Sequence, residues 1–201
     1  MTDIQIGGAK RARRGYSFDE VAIAPSRRTR DPEAVSTAWT IDAYRFDTPL
    51  IAAPMDSVVS PSSAEVLAGL GLLAVLNLEG LWGRYENPEP LLAEILALDP
   101  DEVTPRMQAI YAAQPVDNGL VTARIADLKA AGVTVAVSTS PQSAARLAPL
   151  AAQAGADIVV IRGTTVSAEH VSATGEPLNL KQFIHELDVP VIVGGCATHQ
   201  A

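Results

Sequence analysis

The residues best placed to do chemistry are Met55, Asp56 and Ser57, which close the run Pro49-Leu50-Ile51-Ala52-Ala53-Pro54-Met55-Asp56-Ser57-Val58. An unbroken apolar segment ending in this triplet sets a polarizable thioether, a carboxylate and a hydroxyl at one strand tip. A methionine there can lie against a planar base or ring, and Asp56 and Ser57 can accept and donate hydrogen bonds beside it. The same spacing fits a packing role, with Met55 filling a barrel mouth and Asp56 capping a turn, and spacing alone leaves both open. A second run, Gly163-Thr164-Thr165-Val166-Ser167, offers backbone N–H groups and hydroxyls suited to a ribose or phosphate, or it is an ordinary connecting loop. Cys196 follows Gly194 and Gly195 at another strand tip, where a thiol can be nucleophilic, but the sequence shows no activator for it.

Other polar groups are weaker candidates. Glu79, Arg84 and Glu86 fit either a cap network or, the reading preferred here, a solvated loop. Trp82 and Tyr85 beside them point to a docking surface for another segment or subunit. His170, His185 and His199 have no metal-ligand spacing with carboxylates, so no metal site is expected, and His185 is expected at a surface or interface.

Placing these residues is a matter of alternating elements. Apolar runs predict five strands at 50–54, 72–76, 133–139, 157–161 and 190–194, each buried on both faces. Between them come helix patterns. Ser60-Pro61-Ser62-Ser63 starts one, with Glu65 in its first turn and an end near Gly69. Further helices are expected over 88–98, 104–113, 122–131, 141–154 and 178–187, with Gly132 and Gly155 as stops and Thr198 as the N-cap of another. Val21–Ile23 and Thr37–Thr40 read as short strands ahead of the sheet. This alternation predicts an α/β fold with a parallel sheet, and its compact later units fit a (β/α)8 TIM barrel. An open doubly wound sheet fits nearly as well by pattern alone. With about five strands the barrel is incomplete. It carries a helical insertion at 80–131 after the second strand and an N-terminal lead-in over 1–48, all within one domain.

Composition narrows the class. The 201 residues carry 15 Lys plus Arg against 23 Asp plus Glu, a net charge of -8, which disfavours nucleic-acid binding by a basic face. One Cys excludes an internal disulfide. No apolar stretch approaches the roughly 20 residues of a membrane span and no secretory signal is visible, so no membrane association and a cytoplasmic location are expected. Residues 1–31 hold seven basic and four acidic side chains, so this segment is +3 and the remainder -11. It reads as a solvated arm, or as one that meets a phosphate or a neighbouring subunit.

Tyr16-Ser17-Phe18-Asp19-Glu20-Val21-Ala22-Ile23-Ala24-Pro25 followed by Pro49–Val58 resembles the opening of the IMP dehydrogenase / GMP reductase family. The resemblance continues through 71–77 and 155–161 and ends at 190–198, and Asn77–Glu86 is similar to a related subgroup that lacks CBS domains. It implies a TIM barrel that binds a purine mononucleotide (IMP, XMP or GMP) and NAD or NADP at the carboxyl ends of its strands. It also implies a tetramer and a monovalent cation in the full-length protein. Implied substrate-side residues are Ala53, Met55, Asp56, Ser57 and Asn77. Ala53 stands where a Ser is frequent, and Asn77 lies in a region that shows no GMP-reductase lysine. Arg162, Gly163, Thr164, Thr165, Gly194 and Gly195 fall on the cofactor side. There, Arg162 replaces an Asp and reverses the charge, which favours a phosphate or carboxylate partner. By the same resemblance Asp56, Thr164 and Gly195 line one mouth. The family's catalytic Cys lies beyond Ala201 and does not match Cys196.

The resulting expectation is an NAD(P)-dependent purine-nucleotide oxidoreductase, either IMP dehydrogenase-like or running a GMP reductase-type reaction. This chain is expected to be its N-terminal portion, of uncertain activity alone. Two alternatives stay open. An FMN-binding barrel of the nitronate-monooxygenase kind also has an Ala-Pro-Met strand end and a later Gly-Gly. A non-catalytic nucleotide-binding relative would keep the barrel without the chemistry.

Overall fold

The computed structural model describes residues 4–6, 8, 10–24, 27–170 and 178–196. Two compact units divide the chain, Met1–Ser36 and Thr37–Ala201. In the first, β1 (Ile4–Ile6) pairs antiparallel with β2 (Lys10–Ala12). A 3-10 turn at Phe18–Glu20 is tied by the Ser17 N–H donating to Glu20 Oε2 at 2.9 Å. The strand expected at Val21–Ile23 does not form. Ile23 is 99% exposed, and β-branched residues without a partner strand gain nothing from an extended backbone.

The second unit begins with a hairpin, β3 (Trp39–Ile41) against β4 (Tyr44–Phe46), turning at Asp42 with φ +50°. The strand expected at Thr37–Thr40 thus starts two residues later and pairs antiparallel. Trp39 and Phe46 stack at 4.8 Å between ring centroids.

Strand β5 (Ile51–Ala52) leads through α1 (Pro61–Gly69) into β6 (Leu73–Asn77). Ser60 caps α1 reciprocally with Ser63, and Pro61 takes the first helical position, where no N–H is needed. Glu65 falls in the second turn, not the first. Three helices follow: α2 (Glu89–Leu96), α3 (Pro100–Ala113) and α4 (Asn118–Ala130), the last capped by Asp117 accepting from the Leu120 N–H at 3.0 Å. Next come β7 (Ala136–Thr139), α5 (Pro141–Gln153) and β8 (Ile158–Arg162). A short pair, β9 (Glu169–His170) with β10 (Leu178–Asn179), then α6 (Leu180–Glu186) and β11 (Val191–Gly194) complete the described order. Helices α1, α4 and α5 are followed by Gly71, Gly132 and Gly155 at φ +77°, +74° and +99°, a conformation glycine adopts without Cβ strain. The expected N-cap at Thr198 lies outside the described residues.

The order β5-β6-β7-β8-β11, parallel throughout, makes a curled half-barrel. The α/β fold is that of a partial TIM barrel. Alternation sorts the strand residues between two cores. Leu73, Val75, Ala136 and Ile158 face inward on Phe46 and Trp39, so the hairpin plugs the amino-terminal end. Leu76, Val137, Val159 and Ile161 face outward on Val121, Ile125, Leu128, Leu147 and Ala148 of α4 and α5. Burying each such Leu or Ile contributes roughly 1.5–3 kcal/mol. Helix α4 lies against both α1 and α5 and is the crossover between β6 and β7, whereas α2 and α3 pack on each other. Among the described residues no helix is long and apolar enough to cross a membrane.

Candidate functional site

The carboxyl ends of β5, β6, β7 and β8 carry the polar residues. Met55 follows β5 in a tight turn, its carbonyl accepting from the Val58 and Val59 N–H groups at 2.9 Å. The turn leaves Met55 46% exposed. Over it stand α2 and α3. Together they enclose a cavity of about 330 Å³ lined by Pro54, Met55, Asp56, Ser57, Asn77 and Arg162 below. The upper wall is Leu92, Ile95, Val103, Met107 and Tyr111. A second space of about 270 Å³ continues inward, bounded by Asn77, Glu79, Tyr111, Ser138, Ser140 and Arg162. A larger cavity of about 460 Å³ opens at the amino-terminal end, beside Phe46, Gly71 and Gly132. That end of a barrel serves stability rather than chemistry, so the smaller mouth is the site.

Asp56 Oδ2 accepts from the Tyr111 hydroxyl at 2.7 Å and from the Leu81 N–H at 3.0 Å, while Oδ1 is buried without a partner among the described residues. Gly80 is required beneath it, since a Cβ there would collide with the Asp56 carboxyl group. Burial, then the hydrogen bond and negative charge of Asp56, push the Tyr111 phenol above its ordinary value, against the opposing pull of Arg84 and Arg162. Tyr111 therefore stays a neutral donor at the lip of the mouth.

Glu79 belongs to a built network, not to a solvated loop. Its carboxylate accepts from the Ser140 N–H, from Ser140 Oγ at 3.0 Å, from Ser143 Oγ at 2.6 Å and from Thr139 Oγ1 at 3.3 Å. It caps α5 from outside, where an anion also meets the positive end of the helix dipole. Arg84 is likewise held, donating to the Glu79, Tyr111 and Gln114 carbonyls at 2.8, 3.0 and 2.5 Å. Glu86 is exposed and contributes only its carbonyl, to Arg124. Trp82 is 6% exposed beneath the Arg124 guanidinium, and Tyr85 donates to the Ile110 carbonyl at 2.6 Å. The surface expected to dock another segment is therefore covered by this chain's own α3 and α4.

The other expected site residues lie elsewhere. Ala53 is exposed below Met55 and does not line the mouth. Gly163 and Gly195 exchange backbone hydrogen bonds with the opposite strand end: the Gly163 N–H donates to the Gly194 carbonyl and the Gly195 N–H to the Gly163 carbonyl, both at 2.9 Å. Val166 N–H donates to Gly195 at 2.8 Å. These amides are occupied and are not offered to a ligand, which corrects part of the expectation for 163–167. Thr164 and Thr165 are exposed on this seam, and Thr164 and Gly195 stand outside the cavity that Asp56 lines. The exposed Cys196 sulfur sits 3.8 Å from the Val193 carbonyl, a contact that supplies no general base. His185 is exposed on α6, and no cluster able to hold a metal occurs among the described residues. Sequence reasoning missed Tyr111, Ser138 and the α2–α3 wall. The one available signal was the apolar spacing of Leu92 and Ile95.

A profile of the IMP dehydrogenase / GMP reductase domain matches residues 15–201. The chain belongs to this family. An uncharacterised oxidoreductase of Mycobacterium tuberculosis H37Rv is 49% identical over 98% of this chain and 54% of its own length. One from Mycolicibacterium smegmatis is 48% identical over the same shares. The IMP dehydrogenase/GMP reductase-like protein of Corynebacterium glutamicum superposes with a TM-score of 0.85 at 43% identity, over 96% of this chain and 52% of that one. The chain thus spans about half the length of these three relatives. Within the family frame, Met55, Asp56, Ser57, Asn77 and Arg162 gather at the mouth of the half-barrel.

Proposed function

We propose that this mouth binds the base of a purine mononucleotide in an NAD- or NADP-dependent oxidoreductase, of the type that oxidises IMP to XMP or acts on GMP. The observation that carries the reading is the exposed Met55 thioether facing Leu92, Ile95, Val103 and Met107 across about 330 Å³, within the range of small-ligand sites. A planar ring fits between a soft sulfur and an apolar wall, with Asn77 and Ser57 at its edge. The exposed hydroxyls of Thr164 and Thr165 fit the ribose of a nicotinamide dinucleotide, and these threonines with Arg162 would hold it. When bound, that group supplies the two-electron acceptor or donor. A cytoplasmic tetramer is part of the same proposal.

Thermal unfolding with IMP, GMP, NAD and FMN in turn tests it. Ligand at about 100 times its dissociation constant adds about 2.7 kcal/mol to the folded state. Stabilisation by IMP or GMP, weakened about tenfold in affinity in Met55→Ala with the unliganded transition unchanged, is the expected result. That loss corresponds to about 1.4 kcal/mol of contact with one base. A rise with FMN alone would transfer the site to a flavin. Equal nucleotide affinity in Met55→Ala would remove the residue from it.

A further inference from the structure

We propose that Arg162, Asn77 and Ser138 form an anion subsite on the inner face of the half-barrel that takes a phosphate group of the small molecule in the mouth. The argument is a count of unused donors. By the register, Asn77 lies opposite Ser138 and Ser138 opposite Val160, and Arg162 is two residues beyond Val160 on the same face. All three side chains line one space of about 270 Å³. The Asn77 Oδ1 accepts from the Glu79 N–H at 3.1 Å, and its NH₂ donates to no group among the described residues. Ser138 is 2% exposed, yet its hydroxyl is not shut off from the cavity and has no hydrogen-bond partner among the described residues. The Arg162 guanidinium has neither a hydrogen bond nor an ion pair among them, although five other Arg and Lys side chains are paired with carboxylates.

Three side chains with donors unpaired within the described residues line one space, and a planar guanidinium matches the oxygens of a phosphate. Of the acidic oxygens nearby, only Asp56 Oδ1 lacks a partner among the described residues. Glu79 is held by Ser140, Ser143 and Thr139, and Asp56 Oδ2 by Tyr111 and Leu81. The positive potential of Arg162 reaches the Tyr111 phenol, which borders the same space. The proposal rests on the reading of this mouth as a ligand site, but not on the ligand being a purine.

Calorimetric titration of the protein and of Arg162→Met and Arg162→Lys with inorganic phosphate, GMP, guanosine, NADP and NAD tests it. The expected result is phosphate binding weakened about tenfold or more in Arg162→Met, the loss of one charge-assisted contact, with partial recovery in Arg162→Lys. If the phosphate belongs to a mononucleotide, GMP weakens with the mutation and guanosine does not. If it belongs to a dinucleotide, NADP weakens more than NAD. Wild-type binding of no anion, or equal binding by Arg162→Met, overturns the subsite. GMP and NADP binding that both ignore Arg162 overturn the subsite but keep the proposed function. Phosphate binding that needs Arg162 without any purine binding does the reverse.

Discussion

At the residue scale, Tyr111 joins the mouth to the helices above it. Its hydroxyl bonds Asp56, and its ring lies under the Arg84 guanidinium at 5.3 Å. Because the folded state raises its pKa, that state holds the phenolic proton more tightly than the unfolded chain does. The associated stability is complete below the ordinary value of 10.0 and is lost as pH rises toward the folded value. Wild-type stability should therefore decline above about pH 10, and Tyr111→Phe should show a shallower alkaline decline. At neutral pH the same variant should be less stable by about 1 kcal/mol, because Asp56 Oδ2 keeps only the Leu81 N–H. Chemical denaturation of both proteins between pH 7 and 11 measures this, and parallel curves would show that the bond carries no linkage.

At the element scale, Glu79 governs the start of α5. Ser140-Pro141 is a good helix-start signal, and the helix begins there, but the Ser140 side chain makes no cap bond of its own. It donates to Glu79, which replaces the local cap from 61 residues away. Glu79→Ala should cost about 1–3 kcal/mol and speed amide exchange in the first turn of α5 before the rest of the helix. A change within about 0.5 kcal/mol would mark a solvated side chain instead. This contrast shows what the sequence carries. Pro61, Gly132 and Gly155 act through their own φ angles, and buried strands announce themselves as continuous apolar runs, so element positions were legible within a few residues. The role of Glu79, the burial of Trp82 and the position of Tyr111 depend on contacts between distant segments, which no local pattern encodes. Val21–Ile23 errs in the opposite sense, as propensity without a partner.

At the scale of the whole molecule, the five-stranded sheet has two outer strands, each with one neighbour among the described residues. Leu50 and Ile51, beside and within β5, are 59% and 47% exposed. Unpaired edges with apolar side chains template association. The 201-residue chain alone should therefore sediment with a concentration-dependent coefficient, and Ile51→Lys should reduce that dependence. A wild-type coefficient constant across concentrations would show that this edge is already protected. That parallel strands alternate with helices was legible from the pattern, but their sequential order was not. Nor was closure of a barrel, because a doubly wound sheet shares the pattern.

The wall formed by α2 and α3 has one more consequence. Its cavity-lining Ile95, Val103 and Met107 belong to neither core cluster, Leu92 packs against one only as a partly buried residue, and Ile110, the buried residue of α3, is in neither. The shape of the chamber is thus written on one set of residues and the stability of the sheet mainly on another. A duplicated copy of the gene could drift toward a new small molecule by altering that wall, while inheriting its folding unchanged.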